Sequence, residues 1–545
     1  MFKVESLHGH QLSKTIQTPK IAYLAGLVAL FTVIPIIYIF IRAVTGEPEL
    51  WQRIIQTRLL KLLSNTLLLV FTVTIGTTIL GVSMAWLTER TDLPGRNIFR
   101  WLLALPLAIP PYIGAIIHLA FLRPRGGLLP LWTEQITGIA INFPYPTGFW
   151  GAAFVLIIFS FPYVFLLSGS ALRSLNASFD EASRMLGRTP WQTIWQTTLP
   201  AIRPGITAGA LLVSLDILAE YGTVALLRFE TFSSAIFVQL AGRYDRSAAA
   251  ILSGVLIILA LIILFGEFKL QGRAYFTQID SHWRPAKLFQ LGKYRWIGFL
   301  AVFFTVMVSF IIPLSLLLYW SLQGMLDQNI GLSGMQIGSK GLESFVFNSI
   351  WSSGLAAFLA VLLSLPIAIY SVRHPGKISR LFSNLSQAGY AIPGVVVALS
   401  LVMLVNRFLP FMYATSLVVV MAYVVRYIPQ AVRASEAALR QLSPSLEDAA
   451  RLLKRNSLQT FLQVTFPLIL PGLLAGSALV FLSSLKELPA TLLLRPAGFE
   501  SLAVRVWIWS EEGFYHQAAP AALLLVLIAI IPLFFLLRRE AIFKK

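Results

Sequence analysis

Apolar residues in this chain come in long blocks, not in alternation with polar ones. Runs at 21–41, 64–87, 101–121, 149–170, 205–227 and 248–266 are followed by runs at 296–319, 348–370, 387–405, 411–431, 472–494 and 517–537. Their lengths approach or reach the roughly 20 residues that carry a helix across about 30 Å of hydrocarbon. Backbone groups in lipid must find partners within their own segment, so helices are the expected spanning element. The pattern predicts an all-α, polytopic membrane protein of about twelve transmembrane helices in two sets of six. One set fills residues 1–266, a polar linker runs over 267–295, and the second set fills 296–545. Residues 1–20 are polar and no small-residue cleavage site follows the next apolar run, so 21–41 reads as a retained first span.

Composition agrees. The chain is 57% hydrophobic and 12% charged, with mean hydropathy +0.75. A net charge of +19 would suggest nucleic acid on a soluble protein. Here the loops account for it. With the N-terminus inside, the inner segments hold about 28 Lys and Arg against about 13 outside, while acids divide almost evenly. That bias places both termini in the cytoplasm. The chain has no cysteine, which excludes disulfides, thiolate metal sites and cysteine nucleophiles.

The two sets repeat. Residues 171–206 (ALRSLNASFDEASRMLGRTPWQTIWQTTLPAIRPGI) match 438–473 (ALRQLSPSLEDAARLLKRNSLQTFLQVTFPLILPGL) at a constant offset of 267, which holds to about Val238. Earlier, Asn65 pairs with Asn348 and Ala108-Ile109-Pro110-Pro111 with Ala391-Ile392-Pro393-Gly394 at offset 283. A longer outer loop at roughly 122–148 in the first half absorbs the difference. Two six-span halves of one topology imply a parallel repeat about an axis along the membrane normal.

The repeated polar loop reads as two short helices. Ser178 with Glu181, and Ser445 with Asp448, fit a capping box. Gly187 suits a left-handed helix end. Thr189-Pro190, and Asn456-Ser457 in the second copy, restart a helix. Trp191, Ile194, Trp195 and Leu199 fall at helical spacing, as do Leu458, Phe461, Leu462 and Phe466. Pro200 and Pro467 are expected to end these helices. Such stripes either seal the loop onto its own span ends or sit in a groove of a cytoplasmic partner.

Glu181-Ala182-Ser183 with Gly187, then Leu199-Pro200, resembles the EAA coupling loop of ABC importer permeases. The second copy offers Asp448-Ala449-Ala450, with Lys454 in place of the glycine, so that Asn456 is expected to carry the turn. The resemblance covers nearly the whole chain. It implies a fused permease with both pore halves in one polypeptide, a dimer of separate ATP-binding subunits docked on the two loops, an extracytoplasmic solute-binding protein, and a bacterial inner-membrane location. The coupling residues it marks are Glu181, Ala182, Gly187, Trp191, Pro200, Asp448, Ala449, Lys454, Phe461 and Pro467. The chain lacks a Gly-rich phosphate loop, so ATP hydrolysis belongs to the partner and no cofactor is expected here.

Ionisable residues inside spans are costly and mark function by default. Glu220 and Glu487 match at the 267 offset, and Gly222 and Pro489 share a position at which each helix can break. Asp216 is a further acid in the same span. The stretch Lys486-Glu487-Leu488-Pro489-Ala490-Thr491-Leu492-Leu493-Leu494-Arg495-Pro496, with Glu220-Tyr221-Gly222-Thr223-Val224, resembles the ferric-iron branch of these permeases. It implies Fe³⁺ import. The residues themselves make Glu220, Tyr221, Glu487 and Asp216 the path candidates. Hard cations take oxygen ligands, and these residues supply oxygens. The opposing expectation is that each glutamate pairs with a neighbour such as Lys486 or lies at the outer rim. The six histidines show no metal-ligand spacing, and no stable metal site is expected. Competing readings are a permease for thiamine or another small organic cation, and an ion-coupled secondary transporter. A membrane enzyme lacks a convergent catalytic constellation.

Overall fold

A computed structural model describes residues 20–123, 127–139, 141, 143, 145–270, 288–326 and 341–542. The polar N-terminal stretch, most of the 267–295 linker and parts of the 122–148 loop lie outside the described residues. The first half comprises α1 (Lys20–Val44), α2 (Pro48–Arg90), α3 (Arg96–Ala108), α4 (Pro111–Leu122), α5 (Leu128–Thr137), α6 (Gly148–Ser174), α7 (Ala177–Met185), α8 (Trp191–Ala219), α9 (Gly222–Leu226), α10 (Phe232–Gly242) and α11 (Arg246–Leu270). The second comprises α12 (Gly292–Gln323), α13 (Leu342–Arg373), α14 (Lys377–Gln387), α15 (Gly394–Phe408), α16 (Ser416–Gln441), α17 (Pro444–Leu452), α18 (Ser457–Leu485), α19 (Pro489–Leu494), α20 (Leu502–Glu511) and α21 (Tyr515–Ile542). Helix for helix the halves correspond. Only α5 has no counterpart among the described residues, and it fills the longer loop of the first half.

The protein is all-α, and among the described residues ten helices are long and apolar enough to cross a membrane. The expected spans at 101–121 and 387–405 are not continuous. α3 and α4 meet at 94°. Ile109 and Pro110 leave the helical region, as do Ile392 and Pro393 at the matching place. A proline lacks the N–H that would continue the ladder, and it pushes the residue before it toward extended backbone.

The halves embrace each other through their first helices. α1 packs on its own α11 and on α13, α14 and α15 of the other half. There Ser400 donates a hydrogen bond to the Pro35 carbonyl. Reciprocally, α12 packs on α2, α3, α4 and α6 of the first half. Within each half, close approach rests on paired glycines. A Cβ at Gly205 would fall 2.8 Å from the Ala171 Cβ, and one at Gly472 would fall 2.5 Å from the Ala438 Cβ. Gly209 and Gly476, one turn on, make the same contact with α6 and α16. These small-residue seams let backbones approach where lipid offers no hydrophobic drive for association.

The matched asparagines do one job. Asn65 donates to the Glu230 carbonyl at 2.9 Å, and Asn348 to the Glu500 carbonyl at 3.0 Å. The adjacent Thr66 and Ser349 accept from the first backbone N–H of α10 and α20. Their partners, Glu230 with Glu500 and Phe232 with Leu502, stand 270 apart, not 267. The second half therefore gains three residues before α20, and the constant register ends earlier than Val238.

Candidate functional site

The repeated loops take the same shape twice, with caps that differ from those the sequence suggests. Asn176 accepts from the Ser178 N–H, and Ser443 from the Ser445 N–H. The caps of α7 and α17 thus sit two residues before the expected Ser178 and Ser445. Thr189 forms a reciprocal box with Gln192, and Asn456 with Gln459. Pro200 and Pro467 do not end a helix. α8 and α18 run through them by way of π-turns at Ile194–Thr198 and Phe461–Thr465. A widened turn just before proline removes the clash with the preceding carbonyls. Each loop is therefore one short helix plus the protruding start of the next span.

Gly187 has φ +73° and Lys454 φ +58°. Lys454 itself takes the left-handed turn, and Asn456 lies in extended backbone as a cap, which corrects the expectation that Asn456 carries the turn. Glu181, Ala182, Asp448 and Ala449 are exposed, and Asp448 meets Arg451 at 3.6 Å. Pro200 and Pro467 are also exposed, while Phe461 is half-buried. Large apolar side chains stand bare at matched positions. Met185 is 89% and Leu452 85% exposed, and Leu186 with Leu453, Trp191 with Leu458 and Trp195 with Leu462 are exposed likewise. The same four positions left uncovered in both copies argue against loops that merely seal themselves.

The second constellation lies where α8 and α18 stop, at Ala219 and Leu485. Each chain then resumes as a short helix, α9 or α19, beginning at Gly222 or Pro489. Both glutamates cap these restarts. Glu220 accepts from the Thr223 N–H at 2.8 Å, and Glu487 from the Ala490 N–H at 3.2 Å. A carboxylate suits the positive end of a helix. Beyond the cap the two diverge. Glu487 is buried, ion-paired with Arg426, and accepts from the Tyr427 hydroxyl at 2.6 Å. Glu220 is half-exposed and has no ion pair among the described residues. Phe159 occupies the position matching Arg426. Asp216 is half-exposed one turn before Glu220. Lys486 is half-exposed and donates to the Leu107 carbonyl of the first half at 2.8 Å. Tyr221 is buried, stacked on Phe237 at 4.1 Å and tilted against Trp507 at 5.3 Å, so it packs the junction. Among the described residues, no three Asp, Glu or His side chains converge.

Two stretches, 78–268 and 360–539, match the model of the family described as the binding-protein-dependent transport system inner membrane component. The chain belongs to this family. The permease is similar to the Fe(3+)-transport system permease protein FbpB 2 of Haemophilus influenzae, with 33% identity over 94% of this chain and 96% of the relative. It is similar to the ferric transport system permease protein FbpB of Actinobacillus pleuropneumoniae, with 28% identity over 93% of this chain and 76% of the relative. The sulfate transport system permease protein CysW of Escherichia coli is 28% identical over 45% of this chain and 84% of the relative. The permease is thus a transport subunit of an ABC importer and not an enzyme. It is a multi-pass membrane protein that works with separate ATPase and solute-binding subunits.

Sequence reasoning missed Arg426 and Tyr427, the partners that neutralise Glu487. The signal was available: Arg426 is a charged residue inside the apolar run at 411–431. It also missed Tyr112, wedged between the breaks. A Cβ on Gly222 would fall 2.8 Å from the Tyr112 Cβ and 3.1 Å from Leu488 Cδ2. Nothing in the spacing of an isolated tyrosine marks that position.

Proposed function

We propose that the permease imports ferric iron delivered by an extracytoplasmic binding protein, moving it by alternating access. Two ATPase subunits dock on the exposed faces of α7 and α17, and they, not this chain, use ATP. Both loops and both termini face the cytoplasm, in line with the excess of Lys and Arg in those segments. ATP-driven closure of the partner dimer draws α7 and α17 together and opens the path outward; hydrolysis returns it inward. The observation that carries the cargo assignment is near end-to-end similarity to a permease named for Fe³⁺ transport. The half-exposed acids Asp216 and Glu220 agree with a cationic cargo and speak against the anion named for the sulfate relative.

The test is uptake of labelled Fe³⁺ and of labelled thiamine by cells with and without the chain. Loss of iron uptake alone supports the assignment; loss of thiamine uptake alone overturns it. Docking is tested by Glu181→Arg with Gly187→Asp. Uptake is expected to vanish while membrane insertion persists, and unchanged uptake removes the docking role. ATPase subunits should copurify in mild detergent, and uptake that ignores ATP depletion would return the secondary-transporter reading.

A further inference from the structure

At the junction of the halves, polar groups are distributed unequally over equivalent positions. The first half contributes Asp216, Glu220 and Tyr112. At the matching positions the second half has Ser483, bonded to Gln430; Glu487, tied to Arg426 and Tyr427; and Val395. The Tyr112 hydroxyl is buried without a hydrogen-bond partner among the described residues, and the residue is 3% exposed. Buried hydroxyls usually find partners, and this one is among several left open, so its oxygen stays available to a ligand. Tyr112 packs against Gly222, two residues beyond Glu220. Lys486 comes from the opposite half. Leu488, two residues beyond it, packs on the same Gly222, and among the described residues Lys486 makes no direct ion pair and rests on the Leu107 carbonyl. Counted formally, two acids and one ammonium leave this group one negative charge, because Glu487 and Arg426 form a pair.

We propose that the carboxylates of Asp216 and Glu220, with the Tyr112 hydroxyl, form a one-sided oxygen site for a hard multivalent cation, and that Lys486 is its resident competitor. The inference rests on the reading of the permease as a cation importer. The ammonium partly neutralises the acids while the site is empty, because uncompensated charge at such a position is costly. Its hydrogen bond to Leu107 holds it near but outside contact distance, so arriving cargo gains both carboxylates. As the halves move, Lys486 returns toward the acids and expels the cation. Glu487, already neutralised, is scaffold.

The experiment uses the full permease with its ATPase subunits in nanodiscs, and Tb³⁺ as a hard trivalent probe read by its sensitised luminescence. Asp216→Asn and Glu220→Gln are expected to weaken Tb³⁺ binding at least about tenfold, the loss of a charge-assisted contact, and Tyr112→Phe several-fold. Lys486→Met should tighten binding about tenfold while slowing uptake. Lys486→Gln retains a donor for Leu107 without the charge and should tighten binding as well, which guards against a folding defect in the methionine variant. Unchanged or weaker binding in both lysine variants, or normal binding in Asp216→Asn and Glu220→Gln, overturns the proposal. If cells import iron and Asp216→Asn imports it equally well, the site is wrong although the cargo assignment stands. If no iron enters but the Tb³⁺ pattern holds, the site stands and its cargo is another hard cation.

Discussion

Glu220 and Glu487 occupy one position in a duplicated frame and have come to differ in chemistry. Each caps the helix that restarts after a break. One is held between an arginine and a tyrosine and is shut away; the other has a phenylalanine where the repeat would place that arginine, and stays half-exposed. A cap needs only an oxygen at a helix end, so the backbone role survives whichever way the charge is handled. Duplication preserves what the fold needs and leaves the remaining chemistry free to diverge.

The largest break in that comparison comes from Arg426→Met. It strands Glu487 as a buried carboxylate, and removing one partner of such a pair costs about 3–5 kcal/mol. Phe159→Leu, at the matching position, changes volume without stranding a charge and should cost about 1 kcal/mol. Thermal unfolding of the purified permease in one detergent reads both. The double variant Arg426→Met with Glu487→Gln should recover most of the loss, because glutamine still accepts from the Ala490 N–H. No recovery would mean that the pair does not neutralise itself.

A second divergence lies near the repeated loops. In the first half Glu89, on α2, pairs with Arg100 at 2.6 Å and with Arg173. In the second, Glu436, on α16, meets Arg440 at 3.8 Å and accepts from Ser383 at 2.8 Å. Glu436 matches Gly169, and a Cβ on Gly169 would lie 3.7 Å from the Glu89 side chain. The same spot thus receives its carboxylate from different helices. Glu89→Ala should cost about 2 kcal/mol, less than a fully buried pair because both arginines are partly exposed. Gly169→Glu in that background should restore part of it, since the tightest contact is the flexible end of Arg173. A failure to rescue in the same unfolding assay would show that the two sites are not interchangeable.

Glu220→Gln sharpens the comparison by sparing stability. Glutamine retains the cap on Thr223, so unfolding should shift by less than about 1 kcal/mol. Labelled-iron uptake should fall roughly tenfold or more, as expected for a lost charge-assisted contact. Glu487→Gln should behave oppositely, with its main loss in stability, because it leaves the half-buried Arg426 without its ion pair. Equal behaviour of the two variants would erase the distinction drawn from the geometry.

Much of this was legible in the chain, for identifiable reasons. Helices in lipid are announced by length and apolarity, and the repeat by residues that every copy of the fold needs, such as Asn65 and Asn348. What was hidden depended on backbone detail. Proline usually stops a helix, and only the π-turns before Pro200 and Pro467 let α8 and α18 continue. The caps at Asn176 and Ser443 lay two residues from the more familiar box. The pairing of Glu487 with Arg426 joins residues 61 apart, which no local pattern reveals.

The smallest effect separates the loops themselves. Gly187 and Lys454 hold the same left-handed turn, which strains a side-chain-bearing residue by about 1–2 kcal/mol. Lys454→Gly should therefore stabilise by up to about 1 kcal/mol, the relief being offset in part by the greater freedom of glycine in the unfolded chain. Gly187→Ala should destabilise by about 1 kcal/mol, since a Cβ there meets nothing within 4 Å and only backbone strain acts. If the turns matter solely for shape, ATPase stimulation by the complex will follow these small shifts in opposite directions. If Lys454→Gly lowers stimulation despite the added stability, the lysine contributes a charge to the second docking face that the first face lacks, and the two docking sites are functionally distinct.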